Sequence, residues 1–142
     1  MNDMGKQESP QAFLLDFDSK HRVARMRLLG RVTDTVLESA DIALRTFLAE
    51  NKVEYVILDF SGVSSFPVTS TYLRSLALKP PPDRPPKLRI AVAPQLVVYG
   101  MGRMYAMLVE QSRTDFEVVK TMEEAETRLA LGSLHFESSS PS

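Results

Sequence analysis

The sequence contains no cysteine, which excludes disulfide bonds, thiolate nucleophiles and sulfur-ligated metal sites. Its two histidines, His21 and His135, lie near opposite ends of the chain, so a Ser-His-Asp catalytic arrangement has no suitable base. No apolar run approaches the ~18 residues that a membrane-spanning helix needs. Residues 1–10 are polar and carry no signal-peptide core. The sequence therefore predicts a cytoplasmic protein that is not an enzyme and does not insert into a membrane.

An excess of charge of one sign is also absent. Seventeen Lys and Arg stand against eighteen Asp and Glu. Nucleic acids and anionic membranes favour strongly basic binders, so this balance predicts that neither is a general partner. At 142 residues the chain fits one domain, which can bury roughly two-thirds of its unfolded surface without a metal or a disulfide.

Two short patterns suggest a cofactor or a metal site, but neither has the residues or the context that such a site requires. The segment 100–102 (GMG) begins like a dinucleotide-binding loop, but the third glycine position falls on Tyr105, inside a helical pattern. Asp16 and Asp18 stand near His21 and offer metal-ligand chemistry, yet surface residues before a strand often have this composition. The sequence therefore predicts no cofactor and no metal site.

The most informative stretch is the apolar, β-branched run from Tyr55 to Val63, followed by the hydroxyl-rich turn 64–71 and a helical pattern. Such a run is typical of a strand that is buried on both faces and feeds a crossover helix. In open α/β sheets, ligands and partners collect at the carboxyl ends of strands, so the segment from Asp59 to Thr71 is the first candidate site. Asp59 itself is expected to close the turn through its own backbone.

Strand and helix patterns alternate along the rest of the chain. Strands are predicted at 13–15, 23–29, 53–60, 88–93 and 116–119, and helices at 35–50, from 68 or 69 to before Pro80, at 96–110 and at 122–131. Thr35 with Glu38, and Thr121 with Glu124, have the spacing of capping boxes. The proline-rich segment 79–87 is predicted to be an extended connector. This alternation indicates a mostly parallel sheet with right-handed crossovers.

The strand motif VILDFSGV, the turn after it and the C-terminal segment IAVAPQLVVYGMGRMYAMLVEQSRTDFEVVKTMEEAETRLAL resemble the STAS domain, in its sporulation anti-sigma-factor-antagonist-like branch. The resemblance covers residues 13–131. It implies an α/β, STAS-like fold with a mixed, mostly parallel four- to five-stranded sheet and about four helices, mainly on one side. It also implies a bacterial regulatory module that binds a protein partner rather than catalysing a reaction. Residues 1–12 are expected to be a disordered or extended tail, and residues 132–142 a disordered Ser-rich tail.

The resemblance also shows where this chain departs from the family. In anti-sigma-factor antagonists the turn carries Asp-Ser-Ser-Gly, or Thr in place of a serine, and the first hydroxyl is phosphorylated to switch partner binding. Here Pro67 takes the Asp position, Val68 the acceptor position, Thr69 the next hydroxyl and Ser70 the glycine. The usual switch is therefore broken. Phosphorylation of Thr69, Ser70 or Thr71 is the alternative, and capping of the following helix is the favoured role.

The helix predicted at 96–110 is apolar around more of its circumference than a one-sided surface helix requires. Its apolar residues include Val97, Val98, Tyr99, Met101, Met104, Tyr105, Met107, Leu108 and Val109. Burial in the core explains part of this apolar surface. The rest is expected to lie in a homodimer interface or to line an apolar groove. Arg103 is the one charge among these residues and is expected either to reach water or to pair with an acid or an anionic ligand.

Two functions remain open. The first is a regulatory or protein-interaction module without the serine switch. The second is a carrier or sensor of a small apolar or anionic, lipid-like ligand in a pocket beside the helix 96–110, as suggested by the lipid-binding CRAL-TRIO domains that are sometimes grouped with this branch. A cavity beneath that helix would separate the two. The candidate binding residues are Asp59, Ser61, Ser65, Thr69, Ser70, Thr71, Tyr99, Met101, Arg103, Met104 and Met107.

Overall fold

A computed structural model describes residues 11–110 and 115–138. The strands are β1 (Phe13–Asp18), β2 (Val23–Arg31), β3 (Tyr55–Ser65), β4 (Leu88–Val92), β5 (Phe116–Val119) and β6 (Glu137–Ser138). The helices are α1 (Asp34–Glu50), α2 (Ser70–Ala77), α3 (Leu96–Glu110) and α4 (Met122–Leu129). In this described part of the chain, no helix is long and apolar enough to cross a membrane.

All six strands belong to one sheet with the order β5-β4-β3-β2-β1-β6. The strands β2, β3, β4 and β5 pair in parallel, and α1, α2 and α3 connect them in turn. The pairs of β1 with β2 and with β6 are antiparallel. The predicted α/β class with a mostly parallel sheet and four helices is confirmed. The sixth strand is an addition to the predicted four or five, and it is only two residues long.

The two faces of the sheet have separate cores, because successive residues of a strand point to opposite faces. Val56 belongs to the core under α1, α2 and α3, whereas the next residue, Ile57, belongs to the core under α4. Ala125 and Leu129 are the buried residues of α4 on that second face. Three of the four helices therefore cover one face, and any pocket beneath α3 lies on that side.

The structure corrects the predicted start of the first helix. The hydroxyl of Thr33 accepts a hydrogen bond from the Val36 backbone N–H at 3.2 Å, so Thr33 is the N-cap and the helix begins at Asp34. The predicted capping box of Thr35 with Glu38 is wrong, because Thr33 has the extended backbone that a cap requires. The second predicted capping box, at the start of α4, is confirmed.

The structure also differs from the disorder that was predicted for the C-terminal tail, as far as residues 132–138 are concerned. Leu134 and Phe136 pack against the core under α4, and β6 pairs with β1. The His135 backbone N–H donates to the Asp18 carboxylate at 2.7 Å. The tail is ordered here because α4 alone leaves apolar surface on this face for Leu134 and Phe136 to cover. Residues 1–10 and 139–142, also predicted as tails, lie outside the described residues.

Candidate functional site

β3 extends five residues beyond its predicted end, so Asp59 lies within the strand and not at its carboxyl end. Its carboxylate accepts a hydrogen bond from the Ser61 backbone N–H at 2.9 Å. This contact sits at a register shift, since Arg27 pairs with Asp59 but Leu29 pairs with Gly62. Asp59 thus supports a bulge through its carboxylate, which accepts from the backbone two residues further along the strand.

Hydrogen bonds from two other parts of the chain hold the extension of β3 in place. The Val32 backbone N–H donates to the Ser65 carbonyl at 2.9 Å. The Gln95 side-chain amide donates to the carbonyls of Phe60 and Val63, both at 2.8 Å. Gln95 directly precedes α3, so these bonds fix the start of α3 beside the end of β3. Sequence reasoning missed the extension because its residues, SGVSS, are small and mostly polar.

Thr69 caps α2, and its hydroxyl both accepts and donates a hydrogen bond. Its hydroxyl accepts from the Tyr72 backbone N–H at 3.0 Å and donates to the Asp34 carboxylate at 2.9 Å. The Thr69 backbone N–H donates to the other oxygen of the same carboxylate, also at 2.9 Å. A phosphate on Thr69 would therefore break a helix cap and face a carboxylate. Ser70 and Thr71, by contrast, are exposed.

Exposed residues collect at the carboxyl ends of the parallel strands, where Gln95 ties the start of α3 to the end of β3, and we name this region the turn surface. Its exposed residues are Ser61, Gly62, Ser64, Ser65, Pro67, Thr69, Ser70, Thr71, Leu96 and Val97. Leu96 and Val97 are 84% and 65% exposed, which is unusual for large apolar side chains on a helix. Hydroxyl groups and two large apolar side chains thus share this region.

The structure separates the predicted site residues of α3 from this surface. Tyr99 lies near β5, with the guanidinium of Arg103 at 5.9 Å and the ammonium of Lys120 at 5.2 Å from its ring centre. Met104 and the 64% exposed Met107 line a shallow groove on the outer side of the helix. Met101 lies on the inner side. The candidate residues of α3 therefore lie in three separate places: beside β5, in the outer groove and on the inner side of the helix.

Met101 lines a cavity of about 100 Å³ between the sheet and helices α1, α2 and α3, which we name the inner cavity. Small residues make room for it, since β4 offers Ala91 to this face beyond Arg89, followed by Ala93, and α3 offers Gly102. A Cβ on Gly102 would lie 3.2 Å from a methyl group of Val118, so this glycine lets α3 approach β5 closely. The other apolar residues that line the inner cavity include Met26, Leu28, Leu37, Leu44, Leu58, Phe60, Leu73, Val98 and Phe116.

A second cavity of about 260 Å³, the outer chamber, adjoins the inner cavity. Asp41, Leu44, Leu76, Arg89 and Tyr105 line both spaces. The prolines of the connector that follows α2 form part of its wall: Pro80, Pro81, Pro82, Pro85 and Pro86. The two spaces therefore share one wall, and the outer chamber lies on the side of the molecule that carries this connector.

The outer chamber is charged, and its charges were missed at the sequence level. Asp41 accepts from the Arg45 side chain and from the Lys79 ammonium, both at 3.0 Å. Arg89 donates to the Tyr105 hydroxyl at 3.2 Å and reaches the Asp115 carboxylate at 3.4 Å. The signal for Arg89 was present, because a single arginine interrupts the apolar strand LRIAV at a position that faces the helices.

Tyr72 and Asp18, both outside the chamber, have shifted pKa values. Burial raises the pKa of Tyr72 to about 12, with the carboxylates of Asp41, Glu38 and Asp34 adding to the shift. Burial also acts to raise the pKa of Asp18, but the hydrogen bonds from the backbone N–H groups of His21 and His135 hold it below its ordinary value. Asp18 is therefore a buried, charged tie between two loops.

Comparison with solved structures decides the fold. An uncharacterized protein of the DUF3478 family from Shewanella loihica, described as having a SpoIIAA-like fold, has a TM-score of 0.55 and 13% identity to this chain. The match covers 87% of this chain and 98% of that one. This protein has a SpoIIAA-like fold. The fold is the STAS type that the sequence predicted.

A second SpoIIAA-like structure is that of the Bacillus cell fate determinant SpoIIAA in its phosphorylated form. It has a TM-score of 0.49 and 18% identity, with 83% of this chain and 99% of that chain covered. No protein-family model and no curated protein matches the chain. At these identities the likeness extends to the SpoIIAA-like fold and not to a shared activity.

Proposed function

We propose that this SpoIIAA-like protein is a non-catalytic regulatory module that binds a protein partner through the turn surface. The observation that carries the proposal is the exposure of Leu96 and Val97 beside the hydroxyl-rich end of β3. Apolar side chains surrounded by polar groups are the usual composition of a partner contact. The cytoplasm stays the predicted compartment.

Partner binding is proposed to be constitutive, because the turn lacks a hydroxyl at the position that is phosphorylated in the usual switch. Val68 occupies the acceptor position and is buried, so a hydroxyl is absent there and the position faces the core. The next hydroxyl, on Thr69, is held by Asp34 and by the Tyr72 backbone. These contacts support helix capping over phosphorylation at this residue.

The experiment is affinity capture from the native host with the wild-type chain and Val97→Glu. Ile42→Glu is a matched control, because Ile42 is 55% exposed on α1 and lies outside the turn surface. We expect the wild type and Ile42→Glu to retain the same partner and Val97→Glu to lose it, since an unpaired charge at an apolar contact disfavours binding. Equal retention by all three, or phosphorylation of Ser70 or Thr71 that alters binding, would contradict the proposal.

A second function, the carrying or sensing of a small ligand, is favoured by a different observation. The inner cavity lies beneath α3, and a cavity in this place is what the ligand-binding function requires. Its walls are almost entirely apolar, and such cavities accept small hydrocarbon groups. Hexan-1-ol is a suitable probe, and a nuclear magnetic resonance titration that shifts the Met101 methyl signal is the measurement.

Self-association is proposed through the outer side of α3, where Met107, Leu108 and Met104 form the shallow groove. Met107 is more exposed than an apolar side chain of its size needs to be. A homodimer would cover this groove with the same groove of a second copy, as two-fold symmetry requires.

A further inference from the structure

Arg89 departs from the pattern of the face that it shares. The neighbouring positions on the same side of the parallel strands are apolar: Ala24, Met26, Val56, Leu58, Ala91, Phe116 and Val118. A guanidinium among such residues disfavours folding unless it is well paired. Departures of this kind from a local rule are concentrated at functional sites.

The pairing of Arg89 is weaker than that of a comparable arginine in the same protein. Arg25 is 20% exposed and makes a two-point contact with the Asp16 carboxylate at 3.0 and 2.9 Å. Arg89 is 22% exposed, yet it reaches one carboxylate oxygen of Asp115 at 3.4 Å and otherwise donates to a phenol. Charge-assisted hydrogen bonds of full strength are about 2.7–2.9 Å long. Within the described residues, Arg89 therefore keeps donor capacity for a further acceptor.

Arg89 is also held in position. Its guanidinium lies 5.2 Å from the ring centre of Phe116 and 5.9 Å from that of Tyr105. These two rings pack edge to face, with centres 4.8 Å apart. A guanidinium held against two packed rings loses little freedom on binding an anion, which favours affinity.

The charge around the outer chamber favours an anion. Among the residues that the structure describes, three cationic side chains line it, Arg45, Lys79 and Arg89, against the two carboxylates Asp41 and Asp115. Beyond Arg89 the inner cavity is apolar and, at about 100 Å³, smaller than the ~150 Å³ cavity that accepts a benzene molecule. A ligand that fits both spaces has an anionic head and a short hydrocarbon tail.

We propose that the outer chamber and inner cavity bind a monocarboxylate with a short hydrocarbon chain, whose carboxylate is held by Arg89. The tail occupies the inner cavity between Ala91 and Met101. This proposal rests on the second function above, the binding of a small ligand, and adds the chemical class of that ligand.

The test compares three probes that share one tail: hexanoate, hexan-1-ol and hexylamine. Binding is followed at neutral pH from the methyl signals of Ala91 and Met101. We expect hexanoate to bind on the order of tenfold more tightly than hexan-1-ol, because a charge-assisted hydrogen bond to Arg89 is added. Hexylamine is expected to bind more weakly than the alcohol.

Three variants assign the effect to its residues. Arg89→Met should reduce hexanoate affinity to that of hexan-1-ol, and its thermal stability should be unchanged or higher because a weakly paired charge is removed. Arg25→Met is the matched control, which should lose stability while leaving hexanoate binding unchanged. Ala91→Leu should abolish binding of all three probes by filling the cavity. Arg89→Lys is a second variant at the site, with several-fold weaker hexanoate binding expected from the loss of the planar fork.

The outcomes separate the two levels of the proposal. If hexanoate and hexan-1-ol bind equally, or if hexanoate binding survives in both Arg89 variants, carboxylate recognition is overturned and the apolar cavity function stands. If none of the probes shifts the two methyl signals, the ligand function and its carboxylate class are both overturned. A loss of stability in Arg89→Met equal to that in Arg25→Met would assign Arg89 a structural role and overturn the proposal.

Discussion

Asp18 joins two distant segments of the chain through one buried carboxylate, and its substitution should therefore have a large effect on stability. The side chain is 1% exposed, and its two oxygens accept from the backbone N–H groups of His21 and His135, both at 2.7 Å. In Asp18→Asn, one oxygen becomes an NH₂ group that cannot accept, so one N–H loses its partner. Hydrogen bonds to a charged group contribute about 1.5–3 kcal/mol, and the surviving bond also loses its charge. We therefore expect a loss of about 3 kcal/mol in the free energy of unfolding.

The pH dependence of this difference provides a second readout. The pKa of Asp18 is lower in the folded protein than in the unfolded chain, where an Asp titrates near ~3.9. The stabilisation from the charged form is therefore fully present above that pH and is lost as pH falls through the folded pKa. The difference between wild type and Asp18→Asn should be present while the carboxylate is charged and should shrink as the pH falls below about 4.

Urea unfolding at neutral and acidic pH measures both effects. Asp59→Asn is the matched control, because Asp59 is half-buried and its single backbone contact, with Ser61, can be kept by the Asn oxygen. Its expected change is within about 0.5 kcal/mol. In Asp18→Asn, proteolysis after residue 132 should also become faster, since the tail loses its tie. A loss below about 1 kcal/mol, or a difference that does not change with pH, would refute this reasoning.

Four other changes test separate parts of the structure. Tyr72→Phe should leave stability unchanged or raise it, because within the described residues the buried phenol oxygen has no hydrogen-bond partner; phenolate absorbance should also lose a titration near pH 12. Thr69→Ala should cost about 1–2 kcal/mol in urea unfolding, with Thr69→Ser close to wild type, and no loss would contradict the capping contacts with Asp34. Gly100→Ala should stabilise the helix by about 0.5–1 kcal/mol, since a Cβ meets no atom there. Met107→Glu should convert a dimer into a monomer in sedimentation at micromolar concentration, and a wild type that is already strictly monomeric would contradict self-association.

The strand and helix order was predictable because burial on one or both faces leaves a period in the sequence. The ends of the elements were harder to predict where a polar segment forms regular structure. The end of β3 reads as a turn, but Val32 and Gln95 supply partners to its backbone from distant parts of the chain. The tail reads as disordered from its serines, but Leu134 and Phe136 find apolar surface that only the assembled sheet creates.

The candidate site was less predictable than the fold, for a geometric reason. An excess of apolar residues on α3 was visible in the sequence, but which residue faces the cavity depends on how the helix is rotated against the sheet. The structure assigns Met101 to the inside and Met107 to the outside. Arg89 could have been singled out as a charge on a buried strand, but its neighbours Tyr105 and Asp115 come from later segments.

The first turn of α3 keeps the two proposed functions experimentally separate. Val97 is exposed on the turn surface, whereas Val98 is buried and lines the inner cavity. A charge at Val97 should therefore remove the partner and leave hexanoate binding unchanged, while Ala91→Leu should remove the ligand and leave the partner bound. If each variant instead changes the other affinity, the two sites are coupled, and linkage requires the ligand and the partner to alter each other's binding by the same factor. Measuring both affinities in both variants decides between independent sites and coupling through this helix.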